Sequence, residues 1–376
     1  MYKRHVKYQV DEFMQDKGRR LLFIWGPRRS GKTTVLEQIS QEQNAKIFNF
    51  DFVSDREYFV NRREELSNLV KEQPLILIDE VQNYPESTTS IKALIDNFDV
   101  KVIATGSSEL KKTSQEYDSL AGRYNQIYCL PMSTEEFYNN NKPALYDQKN
   151  YFKSLGHNQM VYGSYPEVVT LNQTDDRIKT LQKILDAYVL KDVIDIYKLK
   201  NAELAKNILT KIALQTGQEV SLNEISKDLG TPVSTISNYI EIFRKNYVLI
   251  ALPAFKTNLR RALSEKKKFY FYDLGVRNAL IKDFRDVEIR QDRGGVFENL
   301  VIAELEKKRL NKGLLQTMYF YREYSGKEVD LVVEDYKKNY ECFEIKLTKQ
   351  KTPTSIFPLP NKSDFINMDN YYKTLL

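Results

Sequence analysis

The stretch LLFIWGPRRSGKT, Leu21 to Thr33, restricts the possible folds of this chain more than any other. Five apolar residues read as a buried strand, a glycine-containing loop follows, and KTTVLEQISQEQ continues with helical composition. Strand, loop and helix in this order form a P-loop, in which backbone N–H groups and a helix N-terminus surround phosphate oxygens. Gly26 and Gly31 permit turns that a Cβ would hinder. The loop Gly26, Pro27, Arg28, Arg29, Ser30, Gly31, Lys32, Thr33 and Thr34 is therefore expected to bind ATP. Lys32 is assigned to the β and γ phosphates, and the Thr33 hydroxyl to Mg²⁺.

About fifty residues later, PLILIDEVQ reads as a fully buried parallel strand ending in two acids. Asp79 is expected to hold Mg²⁺ through water, and Glu80 to polarise the attacking water. KIFNFD lies between these two strands, and KVIATGSS follows them. Strands alternating with helices imply a parallel α/β sheet with right-handed crossovers. The polar end of KVIATGSS resembles the sensor 1 position of AAA+ ATPases, which Ser107 or Ser108 would fill. Arg123, in SLAGRYNQIYCL, is a candidate for contacting the γ-phosphate within its own subunit or across an oligomer interface.

Residues from about 131 to 200 look helical, broken at YGSYPEVV, and resemble the small lid that follows AAA+ cores. Residues 203–250 read as helix, helix, tight turn, helix, with Gly230 closing one helix and Pro232 opening the next. Two apolar strand-like runs follow, with Arg260, Arg261, Lys266, Lys267 and Lys268 in the basic stretch between them. This is the outline of a winged helix. Its third helix would present Ser234, Thr235, Ser237 and Asn238 to DNA, with Lys245 nearby and the basic wing on phosphates.

The last hundred residues are rich in Tyr and Phe and read as helix, strand, strand, strand. Glu298 lies near the start of the helix, whose Phe297, Leu300, Val301 and Leu305 approximate one apolar face. Strict alternation places Glu328, Asp330 and Val332 on one face of a strand, opposite Val329, Leu331 and Val333. Glu344 and Lys346 share a face of the next strand. Asp330 and Glu344 thus form a candidate site for Mg²⁺ or Mn²⁺, and Lys346 could orient or help deprotonate a metal-bound water. A wet sheet face carrying these charges is the plainer alternative.

Two cysteines (Cys129, Cys342) and two histidines (His5, His157), each pair far apart, argue against zinc fingers, disulfide scaffolds and multi-histidine centres. The balance of 57 Lys+Arg against 51 Asp+Glu, a net +6, leans only mildly toward polyanionic partners. The N-terminus lacks the apolar core of a secretory signal, and no apolar run reaches the ~18 residues of a membrane span. A cytoplasmic protein without a membrane partner is expected.

End to end, the chain resembles a widespread prokaryotic family of AAA+ or STAND-like P-loop ATPases whose C-terminal domain is similar to PD-(D/E)XK nucleases. The carriers include GPRRSGKTT, LILIDEVQ, ATGSS, LAGRYNQIYCLPMSTEEF, GSYPEVV, FYFYDLGVRNAL, GGVFENLVIAEL, YREYSGKEVDLVV and FEIKLTK. The resemblance implies an ASCE/AAA+ parallel-sheet core over 1–135, a helical lid over 136–202, a winged helix over 203–273 and a restriction-endonuclease-like α/β domain over 274–376. It also implies an ATPase that handles nucleic acid, DNA first and RNA as the alternative, alone or with an oligomeric or protein partner. Glu298, Asp330, Glu344 and Lys346 would form a nuclease-type site. The Pro-rich segment after Lys346 departs from the family, many of whose nucleases carry a substantial helix there. A nucleotide-dependent binding switch with a non-cutting C-terminal scaffold is the rival reading.

Overall fold

The computed structural model describes residues 2–18, 20–107, 120, 122–187, 201–256, 267–323, 325–348 and 356–376. They divide into two compact units, Met1–Leu130 and Pro131–Leu376.

The first unit is built on five parallel strands in the order β2-β3-β4-β1-β5. They are β1 (Leu21–Trp25), β2 (Ile47–Asn49), β3 (Leu75–Asp79), β4 (Lys101–Gly106) and β5 (Asn125–Tyr128). Every residue of β1 and β3 is buried, as the continuous apolar runs LLFIW and LILID require of strands covered on both faces. Helix α1 (His5–Gln15) contributes Val6, Val10 and Phe13 to the core, and α2 (Lys32–Gln43) contributes Val35, Leu36 and Ile39. These pack with Leu22, Ile24, Leu77 and Ile103. Helices α3 (Arg63–Glu72) and α4 (Ser87–Asn97) complete the alternation.

Strand β4 lies between β1 and β3, so three loops leave the sheet side by side: the P-loop, the turn after Gly106 and the turn after Asp79. Gly106 sits opposite Trp25, whose indole fills the space a Cβ would take. The strand expected through residue 108 ends at Gly106, and Ser108 lies outside the described residues.

The second unit begins with α5 (Thr134–Asn141), α6 (Gln148–Tyr162) and α7 (Thr174–Ile184). Ser133 and Glu136 form a reciprocal capping box at the start of α5. The break expected near YGSYPEVV is present: α6 stops at Tyr162, Gly163 takes φ +70°, and Pro166 opens a short turn. Next come α8 (Ala202–Leu214), β6 (Glu219–Val220), α9 (Leu222–Leu229), α10 (Val233–Lys245), β7 (Leu249–Pro253) and β8 (Lys267–Phe271). The three strands form an antiparallel sheet in the order β6-β8-β7. Gly230 ends α9 in the left-handed conformation at φ +59°. Arg260, Arg261 and Lys266 lie outside the described residues.

Helices α11 (Leu274–Ile281) and α12 (Arg293–Asn311) precede a four-stranded sheet ordered β12-β11-β10-β9, and α13 (Tyr371–Leu375) closes the chain. Strands β9 (Gln316–Arg322), β10 (Glu328–Asp335) and β11 (Tyr340–Ile345) run antiparallel, whereas β12 (Asn361–Ile366) joins β11 in parallel.

Two sequence expectations need revision here. The polar pattern NKSDFI gave no sign of β12, which is a half-exposed edge strand. Strict alternation along β10 also fails, because its pairing with β9 slips between Val329 and Val332. Val329 and Val332, three residues apart, both enter one apolar cluster with Phe255, Cys342 and Phe357. Val332 therefore does not keep to a face separate from Val329. A bulge reverses the pleat, and Asp330 sits in it.

Candidate functional site

Two clusters of charged side chains stand out, one in each unit. In the first unit the P-loop turns through Arg29 at φ +61° and Gly31 at φ +102°. Gly26 allows the loop to pass close to strand-end residue Cys129, whose carbonyl a Cβ would strike. Arg4 steadies the loop from the N-terminal side, donating to the carbonyls of Ser30 at 2.6 Å and Leu130 at 2.5 Å.

Lys32 is only 4% exposed, and its ammonium donates to the carbonyls of Gly26 at 2.9 Å and Pro27 at 2.8 Å. Among the described residues no carboxylate lies within ion-pair distance of it. Burial pulls Lys32 below the ordinary lysine pKa, against the opposing pull of Glu80, Cys129 and Asp79. A buried ammonium without a carboxylate contact carries a desolvation penalty of several kcal/mol. A polyanion bound in the loop would relieve it.

Thr33 donates its hydroxyl to Asp79 Oδ2 at 2.9 Å, and Thr105, from β4, donates to Asp79 Oδ1. Asp79 is thus fixed from both sides with two hard oxygen donors adjacent, a set suited to Mg²⁺ with water completing the shell. Glu80 takes φ +54°, lies 4.0 Å from the Arg28 guanidinium and accepts a hydrogen bond from the Gln82 amide. Gln82 also donates to Ser107 Oγ at 3.1 Å. The structure therefore brings Lys32, Thr33, Asp79, Glu80 and Ser107 into one loop cluster. Arg123 is engaged elsewhere, with its Nε 3.1 Å from Asp96 near the end of α4.

In the second unit, Asp330 Oδ2 accepts from the Ile345 N–H at 2.7 Å and from the Lys346 ammonium at 2.8 Å. Glu344 lies 3.4 Å from the same ammonium. Burial and the neighbouring Asp330 charge raise the Glu344 pKa to about 7, against the pull of Lys346. Burial lowers and Asp330 then raises the Lys346 pKa, leaving it above the ordinary lysine value.

Glu298 is buried on α12 and accepts from Lys268 at 3.0 Å and from the Tyr270 hydroxyl. Lys268, only 2% exposed, also pairs with Glu328. Burial raises the Glu298 carboxyl, opposed by Lys268 and reinforced by the charge of Asp330. Among the described residues no three His, Cys, Asp or Glu side chains gather around one metal position. Asp330 and Glu344 fit a hard cation only as a two-carboxylate site completed by water, with Lys346 displaced from between them.

Four contributors had no motif to reveal them. Thr105, Gln82, Lys268 and Tyr270 act through partners on other strands or turns. Only the position of Thr105 two residues before Ser107, at the end of a buried strand, offered a clue.

Comparison with known proteins agrees with the first unit. Residues 18–138 match a family model described as an AAA domain. Residues 154–286 and 293–365 match two models described as domains of unknown function, DUF8612 and DUF4143. An uncharacterized protein of Haemophilus influenzae is 27% identical over 306 residues, covering 76% of this chain and 74% of its own. The uncharacterized protein MJ1544 of Methanocaldococcus jannaschii is 24% identical over 348 residues, covering 87% and 76%. The Walker-type ATPase paby2304 of Pyrococcus abyssi superposes with a TM-score of 0.50 at 14% identity, covering 75% of this chain and 96% of that one. The chain carries a P-loop ATPase fold. No helix among the described residues is long and apolar enough to cross a membrane.

Proposed function

We propose that this protein binds and hydrolyses ATP and uses the cycle to handle nucleic acid. The observation that carries the ATP reading is the buried Lys32 ammonium, held by carbonyls of its own loop, beside the Thr33–Asp79 oxygen pair. Bound Mg²⁺ would neutralise β and γ phosphate charge, with Thr33 and Asp79 holding it. Lys32 would exchange its carbonyl partners for phosphate oxygens. Glu80 would orient a water and accept its proton, and Ser107 would help place that water. Arg123 is assigned as a second cation for the γ-phosphate, within the subunit or from a neighbouring copy, once released from Asp96.

The test is nucleotide affinity alongside phosphate release. Lys32→Ala should lose tight ATP binding, whereas Glu80→Gln should bind ATP yet turn over at least tenfold more slowly. Normal turnover in both variants would reject the site.

For nucleic acid, the support is the order helix, strand, helix, helix, strand, strand over residues 202–271, which suits a winged helix. Helix α10 would present Ser234, Thr235, Ser237 and Asn238 to the duplex. The C-terminal cluster supports a metal-dependent phosphodiesterase, with Asp330 and Glu344 holding the cation and Lys346 orienting water. A second reading has a specific observation in its favour: Lys346 already bridges Asp330 and Glu344, and Lys268 already neutralises Glu298. A cluster balanced by its own ammonium groups suits a binding scaffold. Nicking of plasmid DNA with Mg²⁺ or Mn²⁺ that is lost in Asp330→Ala favours the nuclease. Equal nicking by both proteins, or none, favours the scaffold.

A further inference from the structure

Gln82 closes the stretch PLILIDEVQ with no role assigned to it so far, yet it joins the turn after Asp79 to the turn after Gly106. Its side chain is 0% exposed. Its amide nitrogen donates to Glu80 Oε2 and to Ser107 Oγ at 3.1 Å, and its amide oxygen accepts from the Ser107 N–H at 3.2 Å. The neighbours fix the amide's orientation. Reversed, it would aim an oxygen at the Glu80 carboxylate and an NH₂ at the Ser107 N–H.

We propose that Gln82 is a positioning residue that fixes the aim of the Glu80 carboxylate while tying it to the strand end at Ser107. This inference rests on the ATPase reading above. The chemistry follows from the donor set. A hydrogen bond given to one carboxylate oxygen restricts the rotation of the group, and a base must lie within hydrogen-bond reach of the water it serves. The backbone of Glu80, at φ +54°, directs the side chain out of the ordinary course of a strand. On its other side the carboxylate faces Arg28 at 4.0 Å. Gln82 and Arg28 thus bracket Glu80, and Gln82 carries the contact on to Ser107, just past the end of β4. A shift of the Gly106–Ser107 strand end would therefore reach Glu80 through one side chain. The hydrogen bonds of Gln82 to Glu80 and Ser107 engage the groups that place water, whereas Lys32 and Thr33 serve the phosphates and the cation. Its loss should therefore spare nucleotide affinity.

The experiment measures steady-state ATP hydrolysis for the 376-residue protein and for Gln82→Leu, Gln82→Glu and Ser107→Ala, with thermal melting of each. Gln82→Leu keeps the volume and removes the donor. It should lower kcat by about 10- to 100-fold, within the range for a mispositioned general base, and leave KM for ATP within about threefold. Gln82→Glu keeps the size but replaces the amide donor by a second acceptor, so it should lower kcat as Gln82→Leu does while leaving KM for ATP within about threefold, a split that a general folding defect would not produce. Ser107→Ala should cost less than Gln82→Leu, and the double variant should cost less than the product of the two. Wild-type kcat in the Gln82 variants would overturn the role of Gln82 while the ATPase reading stands. A rise in KM with kcat unchanged would also overturn it, by making Gln82 a ground-state binding residue. No turnover by the wild type would overturn the ATPase reading and this inference together.

Discussion

Glu344 shows how far a fold can govern a single charge. Its pKa of about 7, raised by burial and by Asp330, means that the folded chain holds this proton more tightly than the unfolded chain does. A carboxyl raised in this way favours the folded state most fully below the unfolded value of about 4.5. That contribution is lost as pH climbs through about 7. The group keeps partial access to solvent, so the effect is about 1–2 kcal/mol rather than the full shift converted. Glu344→Gln should therefore lose less stability than wild type between pH 5.5 and pH 8 in urea denaturation, and parallel pH curves would refute this. That Lys32, Thr33 and Asp79 belong to neighbouring loops was legible in the sequence, because local spacing sets it. Lys268 and Tyr270 were not, because their partner Glu298 lies about thirty positions away on another element. Nothing local in KKFYFYD distinguishes a buried ion pair from a basic strand.

At the scale of elements, periodicity found the strands wherever burial covered both faces. LLFIW and the LILI of LILID are legible because positions covered on both faces must be apolar. Leu77, fully buried at the centre of β3, should then cost about 2–5 kcal/mol when replaced by alanine, measured by denaturant midpoint. A loss under 1 kcal/mol would mean that the core relaxes around the gap. Periodicity failed at β12, where one edge and both faces are partly wet and the apolar requirement lapses. It also failed inside β10, since a bulge inserts one residue without changing composition. The expected meeting of Asp330 with Glu344 and Lys346 nevertheless occurs, because the register set on the β11 side pairs Leu331 with Phe343 and leaves Asp330 at the strand junction.

At the scale of the whole molecule, the two units use cationic side chains differently. Among the described residues the first sets Lys32 against carbonyls of its own loop, while the second pairs Lys268 and Lys346 with its own acids. The net charge of +6 conveys neither arrangement. Global stability has its own conflict with chemistry at Glu80, whose left-handed backbone suits glycine better than any residue carrying a Cβ. Alanine ordinarily exceeds glycine in stability by about 0.5–1 kcal/mol. Here Glu80→Gly should instead be more stable than Glu80→Ala by about 1 kcal/mol, since both lose the carboxylate and only glycine relieves the backbone. Melting curves for the pair decide it, and the ordinary order would refute it. A carboxylate at this position is therefore held at a cost to folding that glycine would not carry.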